Sequence, residues 1–145
     1  MADTADISQS FALQVLTPSK LVEEADVTLA TFPGVEGEFG VLPGHMPFIT
    51  NLQPGVISYE QGGMPRHIAV SSGVVEALPE RVIVLARTAE LGGDVDVDRA
   101  TTAKNDCDSQ LSSISRDKDD WARLENKLKI ATARIEASQG NKSSY

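Results

Sequence analysis

Residues 34–55, with the sequence GVEGEFGVLPGHMPFITNLQPG, constrain the fold of this chain more than any other stretch. The segment places five glycines, three prolines and one histidine among apolar residues. Glycines inside an apolar run mark backbone that needs a positive φ or a close approach of another surface. Pro43 and Pro47 stiffen the turn between them. We therefore predict a rigid, shaped loop on a β scaffold, with Gly40 and Gly44 as candidates for positive φ. Its apolar side chains are all expected to be buried: Val35, Phe39, Val41, Leu42, Met46, Phe48, Ile49 and Leu52.

The sequence before Gly92 predicts an all-β domain. Short alternating or apolar runs at residues 11–16, 27–32, 56–59, 67–70, 74–78 and 82–86 are separated by turn signals at the spacing of a sandwich or barrel. Gln61-Gly62-Gly63 and Pro79-Glu80 each predict a hairpin. The expected fold is an antiparallel β-sandwich of about ten short strands over residues 1–91.

The sequence after Gly93 predicts a two-helix antiparallel hairpin over residues 92–145. Apolar residues recur at intervals of three and four, the spacing of a helix face. Asp96 can cap the first helix, between two other aspartates. Glu125 and Lys129 are expected to form an i,i+4 pair, and residues 115–118 form the short connection. Residues 141–145 are expected to be a frayed end. The first face is Val97, Ala100, Ala103, Cys107, Leu111 and Ile114; the second is Trp121, Leu124, Leu128, Ala131 and Ile135.

Composition and charge exclude several classes of function. The net charge of −8 argues against a nucleic-acid-binding protein, which needs a basic surface. No apolar run approaches the roughly 18 residues of a membrane helix, and residues 1–10 resemble no leader peptide. Cys107 is the single cysteine and is expected to be a small buried helix residue, which suits a reducing cytosol. We therefore expect a soluble protein. Residues 116–145 are more basic than the rest and would suit an acidic partner surface.

Motifs for catalysis are absent from the sequence. There is no phosphate-binding P-loop, no dinucleotide fingerprint and no GxSxG nucleophile turn. His45, His67 and Cys107 have no metal-ligand spacing. We therefore predict no catalytic residue, no metal site and no activity as an enzyme acting alone.

The segment GEFGVLPGH at residues 37–45, followed by LQPG at residues 52–55, resembles the signature of the epsilon subunit of F-type ATP synthases, whose mitochondrial equivalent is called delta. Two later stretches agree with it, VSSGVVE at residues 70–76 and VIVLA at residues 82–86 with TAE at residues 88–90. The resemblance is collinear from about Phe11 to Ile135. It implies a non-catalytic subunit of the central stalk that couples rotation of a proton-driven ring to ATP synthesis.

The resemblance also implies partners and contact residues. Glu36, Glu38 and His45 match positions that face the rotor-ring c subunits and the gamma subunit. The C-terminal hairpin would extend along gamma, reach acidic loops of the beta catalytic subunits and restrain ATP hydrolysis. Its second helix has a net charge of +3 over residues 121–134. The basic residues of this expected inhibitory helix are Arg123, Lys127, Lys129 and Arg134.

The resemblance also implies a nucleotide site, but less strongly than it implies these partners. The stretch VDVDRA at residues 95–100 is similar to a motif that binds ATP in some bacterial epsilon subunits. Asp96 and Arg99 match that motif, and Glu90 and Arg134 fall at further matching positions. Two arginines of the pattern are replaced by Asp106 and Ile130, and phosphate recognition depends on arginine. We therefore predict no cofactor, with Asp96 acting as a helix cap.

We therefore predict an epsilon-type subunit on the cytoplasmic face of the bacterial inner membrane, held there through its complex, with a chloroplast thylakoid as the lesser possibility. One alternative is a free-standing β-sandwich binding module with a helical oligomerisation tail. A second alternative is a small hydrolase, which is disfavoured because the sequence shows no nucleophile–base pair.

Overall fold

A computed structural model describes residues 10–140 of the protein. The expectations of no leader at residues 1–10 and of a frayed end at residues 141–145 fall almost wholly outside this range. A 3₁₀ turn, Gly92–Asp94, joins the strands to the helices. The helices are α1 (Val97–Ser113) and α2 (Asp119–Ser138). The strands are β1 (Phe11–Leu16), β2 (Leu21–Val27), β3 (Leu29–Gly34), β4 (Gly37–Val41), β5 (Phe48–Leu52), β6 (Gly55–Gln61), β7 (Met64–Val70), β8 (Gly73–Leu78), β9 (Arg81–Ala86) and β10 (Ala89–Leu91).

The ten strands form one continuous sheet that curls into a sandwich. Nine strands follow the order β10-β7-β6-β3-β5-β8-β9-β1-β2, and β4 pairs with β3. The end strand β2 contacts β6 and β10, so the two ends of the sheet approach each other. Every pairing is antiparallel except that of β1 with β9, which is parallel. The predicted class, an all-β sandwich followed by a helical hairpin, is confirmed.

Alternation along the strands builds the core. In β1, for example, Phe11, Leu13 and Val15 are fully buried and the intervening residues are only partly buried. Residues of one strand that alternate in this way face one side of a sheet, so each strand contributes every second side chain to the interior. Both predicted hairpins are present, β6–β7 around Gly62-Gly63 and β8–β9 around Pro79-Glu80.

Two local predictions are wrong. Residues 27–32 are not one strand, because β2 ends at Val27 and β3 begins at Leu29. The segment 34–55 is not simply a loop, because it contains β4 and β5. Of the two glycines proposed for positive φ, Gly44 has a φ of 79°, whereas Gly40 is an ordinary strand residue.

The helices form an antiparallel pair joined by a short connection. Asp96 is the N-cap of α1, and its Oδ1 accepts a hydrogen bond from the backbone N–H of Arg99 at 3.1 Å. This bond satisfies an amide that has no partner inside the helix. Ala100 and Cys107 are buried as expected, but Val97 and Ala103 are exposed. Glu125 accepts a hydrogen bond from Trp121 Nε1 at 2.9 Å and forms no ion pair with Lys129.

The hairpin docks on the sandwich through α2. We call this contact the docking seam: Val56, Ala69, Gly92, Ala133 and Ala137. Ala133 and Ala137 of α2 pack against Ala69 of β7 and Val56 of β6. A Cβ atom on Gly92 would lie 2.2 Å from the carbonyl oxygen of Ala137, so only glycine fits there. The seam therefore depends on small residues that allow the helix backbone to approach the sheet closely. The division into two units at residues 91 and 92 stays a prediction.

Candidate functional site

Residues 34–55, which contain the family signature, present two glutamates to solvent. Glu36 lies in the turn between β3 and β4, and Glu38 lies on β4 opposite Pro33. Both are exposed. His45 lies in the loop after β4, so the turn that holds Glu36 and the loop that holds His45 are at opposite ends of this strand. The three predicted contact residues therefore lie along one hairpin rather than in a single cluster.

His45 is held in place by its own loop. Its Nδ1 lies 2.8 Å from the carbonyl oxygen of Leu42, and its backbone N–H donates to the same oxygen at 3.3 Å. The ring packs edge-on against Phe11, with centroids 5.5 Å apart. The positive φ of Gly44 turns the chain into this position. The loop is therefore shaped, as predicted, and the histidine ring forms part of that shape.

An aromatic cluster anchors residues 34–55 on their core-facing side. Phe39 on β4 stacks on Phe32 of β3, with ring centroids 5.4 Å apart. Phe48 on β5 meets the edge of Phe39 at 5.5 Å. Because Phe32 is fully buried, these contacts anchor the surface segment to the core.

The apolar side chains of the segment are mostly exposed, so the prediction that all of them are buried is wrong. Val41 and Leu52 are buried and Phe39 is partly buried. The others form what we call the exposed apolar set: Val35, Leu42, Met46, Phe48 and Ile49. Met46 is 82 % exposed and Ile49 is 67 % exposed. Several large apolar side chains exposed on one short segment are characteristic of a surface that a partner covers.

Three of the four residues of the implied nucleotide site come together. Glu90, Arg99 and Arg134 line a cavity of about 320 Å³ between β10 and α2. Asp96 is not among the residues that line this cavity. It is instead the N-cap of α1. The Nε of Arg134 donates to Glu90 Oε1 at 2.8 Å, so this ion pair joins the hairpin to the sandwich. Ile130 also lines the cavity, at the position where the ATP-binding pattern has an arginine.

The basic residues of α2 do not share one face. Arg123, Lys127 and Arg134 are spaced by four and seven residues, which places them on the same side of a helix with 3.6 residues per turn. Lys129 falls near the opposite side. Arg123, Lys127 and Lys129 are exposed, whereas Arg134 is partly buried in its pair with Glu90.

Two side-chain pairs were not foreseen from the sequence. The Tyr59 hydroxyl on β6 donates to Glu23 on β2 at 2.5 Å, and burial together with this carboxylate raises the pKa of Tyr59. Ser58 Oγ lies 3.0 Å from His67 Nδ1 across the β6–β7 hairpin. Burial lowers the pKa of His67. The second pair resembles a nucleophile and its base, but His67 Nε2 meets no orienting carboxylate among the residues that the structure describes.

Comparison with known proteins agrees with the signature. The family described as ATP synthase, Delta/Epsilon chain, beta-sandwich domain matches residues 10–92. The ATP synthase epsilon chain of Nitratidesulfovibrio vulgaris is 41% identical over 129 residues, which covers 89% of this chain and 96% of the relative. That of Anaeromyxobacter dehalogenans is 38% identical over 126 residues, covering 87% and 96%. This chain belongs to the ATP synthase epsilon chain family.

Solved structures show the same fold at lower identity. A chain of the Euglena gracilis mitochondrial ATP synthase assembly of OSCP, F1 and c-ring aligns with a TM-score of 0.77 and 23% identity, covering 92% of this epsilon chain and 83% of that chain. A chain from the central stalk and c-ring of the Tetrahymena thermophila mitochondrial enzyme aligns with a TM-score of 0.57 and 12% identity, covering 88% and 98%. These alignments extend the similarity beyond the sandwich to most of the chain.

Membership of this family also confirms one prediction about the class of protein. The epsilon chain is an accessory subunit of ATP synthase, and the prediction that this protein is not an enzyme on its own is correct. Within residues 10–140, no helix is long and apolar enough to cross a membrane. The residues assigned to partners and to nucleotide remain predictions.

Proposed function

We propose that this epsilon chain joins the gamma subunit to the c-subunit ring in the central stalk of a rotary ATP synthase, on the cytoplasmic face of a bacterial inner membrane. The observation that carries this proposal is the exposed apolar set of residues 34–55, the segment that contains the family signature. These five side chains lie on a segment that is anchored by stacked phenylalanines, so they are presented to solvent by a rigid support. A free-standing module would have no reason to hold Met46 and Ile49 in water.

The charges around the exposed apolar set fit the same role. Glu36 and Glu38 are exposed beside Val35 on the β3–β4 hairpin. A carboxylate at the rim of an interface contributes little affinity, roughly 0.2–1 kcal/mol, but it orients a partner that carries basic groups. Apolar side chains with an acidic rim would therefore suit basic loops of a ring and an apolar surface of gamma.

Co-purification tests this part of the proposal. The tagged chain should recover the gamma subunit and the ring from detergent-solubilised membranes. Met46→Lys should weaken that recovery, because a charge would have to be buried in the interface. Met64→Lys is the matched control, since Met64 is also exposed, at 66 %, but lies on β7 away from the signature. Equal recovery with both variants would contradict the proposed surface, and recovery of neither partner by the unaltered chain would favour the free-standing module.

We further propose that the hairpin leaves its docked position and restrains ATP hydrolysis at acidic loops of the beta subunits. The docking seam supports a reversible contact, because apart from Val56 it is built from alanines and a glycine, and the ion pair Glu90–Arg134 joins the hairpin to the sandwich beside it. Arg123, Lys127 and Arg134 share one side of α2, and undocking would free the last of them from Glu90. The helix would then offer three cations on one side.

Hydrolysis by the assembled complex tests the restraint. Ending the chain after Leu91 should leave a subunit that still assembles, with a faster rate of ATP hydrolysis. Lys127→Ala should raise the rate in the same direction, whereas Lys129→Ala, on the other side of α2, should have a smaller effect. An unchanged rate after truncation would contradict the inhibitory role. A truncated chain that fails to assemble would contradict the boundary at residue 91.

A further inference from the structure

His67 lies at the edge of the docking seam. It is on β7, two residues before Ala69, and its side chain projects from the same face of the sheet. His67, Ala137 and Ser138 line one cavity of about 240 Å³ at the end of α2. The carbonyl oxygen of His67 lies 3.3 Å from the position of a Cβ on Gly92. The imidazole is therefore close to the place where the hairpin meets the sandwich.

The hydrogen bonding of His67 fits the neutral ring. Nδ1 has Ser58 as its partner at 3.0 Å, whereas Nε2 is sealed from solvent and has no partner among residues 10–140. A neutral imidazole has one donor nitrogen and one acceptor nitrogen, but a protonated imidazole has two donors and a full charge. Protonation would therefore bury a charged donor without an acceptor, which is unfavourable. Burial accordingly lowers the pKa of the His67 imidazole.

The charged groups around His67 do not offset that cost. Glu60 of β6 lines a second cavity with His67, and Arg66 precedes it on β7. Arg66 donates to Gln61. Asp94 lies in the 3₁₀ turn that packs on β7 and is exposed to solvent. Where α2 crosses β10, Glu90 and Arg134 are engaged with each other at 2.8 Å. Only burial displaces the pKa of His67, and no nearby carboxylate raises it.

We propose that His67 makes docking of the hairpin dependent on pH, with the neutral ring favouring the docked state and the protonated ring favouring the undocked state. The sign follows from linkage. A histidine whose pKa is lower in the docked state stabilises docking fully above its undocked pKa, and this contribution is lost as the pH falls from that value through the lower, docked pKa. With an ordinary undocked pKa of about 6.5, the docking equilibrium should weaken by up to about tenfold between pH 8 and pH 5.5.

This inference concerns an equilibrium within the chain, so it stands independently of the inhibitory role. If the proposed restraint on hydrolysis also holds, acidification of the surrounding compartment would release the helices and slow ATP hydrolysis. The two ideas can fail separately, because docking can be measured on the isolated chain and hydrolysis only on the complex.

Nuclear magnetic resonance on the full chain tests the inference. The amide signals of Val56 and Ala69 report whether α2 covers the sheet, and the His67 ring protons report its titration. We expect the docked fraction to fall between pH 8 and pH 5.5 in the unaltered chain. His67→Gln, which keeps a hydrogen-bonding group but cannot become charged in this range, should remove most of that change. His45→Gln is the control, because it removes the other histidine of the chain from a loop that contacts Phe11 rather than the seam.

A second variant shows whether docking is the cause of the shift. Gly92→Val should hold the hairpin off the sheet, because its Cβ would overlap the carbonyl group of Ala137. In this variant His67 should titrate at a higher pH than in the docked chain. The same titration in both chains would overturn the inference, since the helix would then not be what seals the ring. Full retention of the pH dependence in His67→Gln would overturn it as well.

Discussion

Gly92→Ala should weaken the docking of the hairpin while leaving the sandwich folded. The added Cβ would lie 2.2 Å from the Ala137 carbonyl oxygen and 2.9 Å from its carbon. Non-bonded heavy atoms prefer separations of about 3.5 Å, so α2 would have to retreat by more than about 1 Å. Gly92 does not have a positive φ, so alanine is acceptable to the backbone itself and the whole penalty comes from this overlap.

The cost of this overlap is comparable to the energy that holds the helix in place. Ala69, Ala133 and Ala137 contribute about 0.8 kcal/mol for each buried methyl group, or roughly 2–3 kcal/mol together. The partly exposed Glu90–Arg134 pair adds about 0.2–1 kcal/mol. Overpacking costs typically 1–3 kcal/mol. The ratio of docked to undocked chain should therefore fall by roughly 5- to 150-fold, since each 1.4 kcal/mol is a factor of ten.

Gly93→Ala is the matched control. A Cβ at Gly93 meets no atom within 4 Å, and this residue also lacks a positive φ. The amide signals of Ala69 should move toward those of an uncovered sheet in Gly92→Ala and stay in place in Gly93→Ala, while the urea midpoint of the sandwich stays unchanged in both. Identical spectra for the two variants would refute the argument that a glycine at position 92 controls docking.

Three further predictions follow from other contacts. Gly44→Val should lower stability by about 1–3 kcal/mol and weaken ATP-driven proton pumping in vesicles, because valine is strained at a φ of 79°. Gly40→Ala should be tolerated, and normal pumping by a correctly assembled Gly44→Val complex would contradict the prediction. Calorimetric titration with Mg-ATP should give a dissociation constant no tighter than about 1 mM, and a micromolar constant that Arg99→Ala abolishes would refute this expectation of weak binding. Asp96→Ala should lower the free energy of unfolding by about 1 kcal/mol, because the helix loses its cap. Because the pKa of Tyr59 is raised in the fold, the free energy of unfolding should fall as the pH rises above the unfolded pKa of about 10. Tyr59→Phe should show a weaker dependence of stability on alkaline pH, and equal stability curves for the two chains would count against the prediction.

The sequence predicted the parts of the fold that depend on local periodicity and turn chemistry. Alternation in β1 and the Gly62-Gly63 turn are such features, and both are present in the structure. The mistake at residues 27–32 has the same origin, because alternation continues across Thr28, where β2 gives way to β3. A periodic pattern therefore identifies extended chain but does not show where one strand turns into the next.

The candidate sites were harder to predict because their chemistry depends on contacts between residues that are distant in the sequence. The Ser58–His67 pair could have been found, since a two-residue turn at Gly62-Gly63 sets a register that places these two residues opposite each other. Tyr59 and Glu23 lie on distant strands, and no local pattern joins them. The exposure of Met46 was mispredicted because the rule that apolar residues are buried applies to a chain that is complete without partners.

The parallel pairing of β1 with β9 determines when this sandwich can be completed during synthesis. β1 leaves the ribosome before the other strands that the structure describes, yet Ala12 lies opposite Arg81 and Leu16 lies opposite Leu85, close to the end of the described strands. The β1–β2 hairpin can form early, but the gap between it and the rest of the sheet closes only after β9 has been made. Pairing over such a separation in sequence carries a loop-closure cost before any contact compensates for it. Until then, the edges of β1 and β8 that pair with β9 are open, and the nascent chain is most exposed to aggregation in this interval.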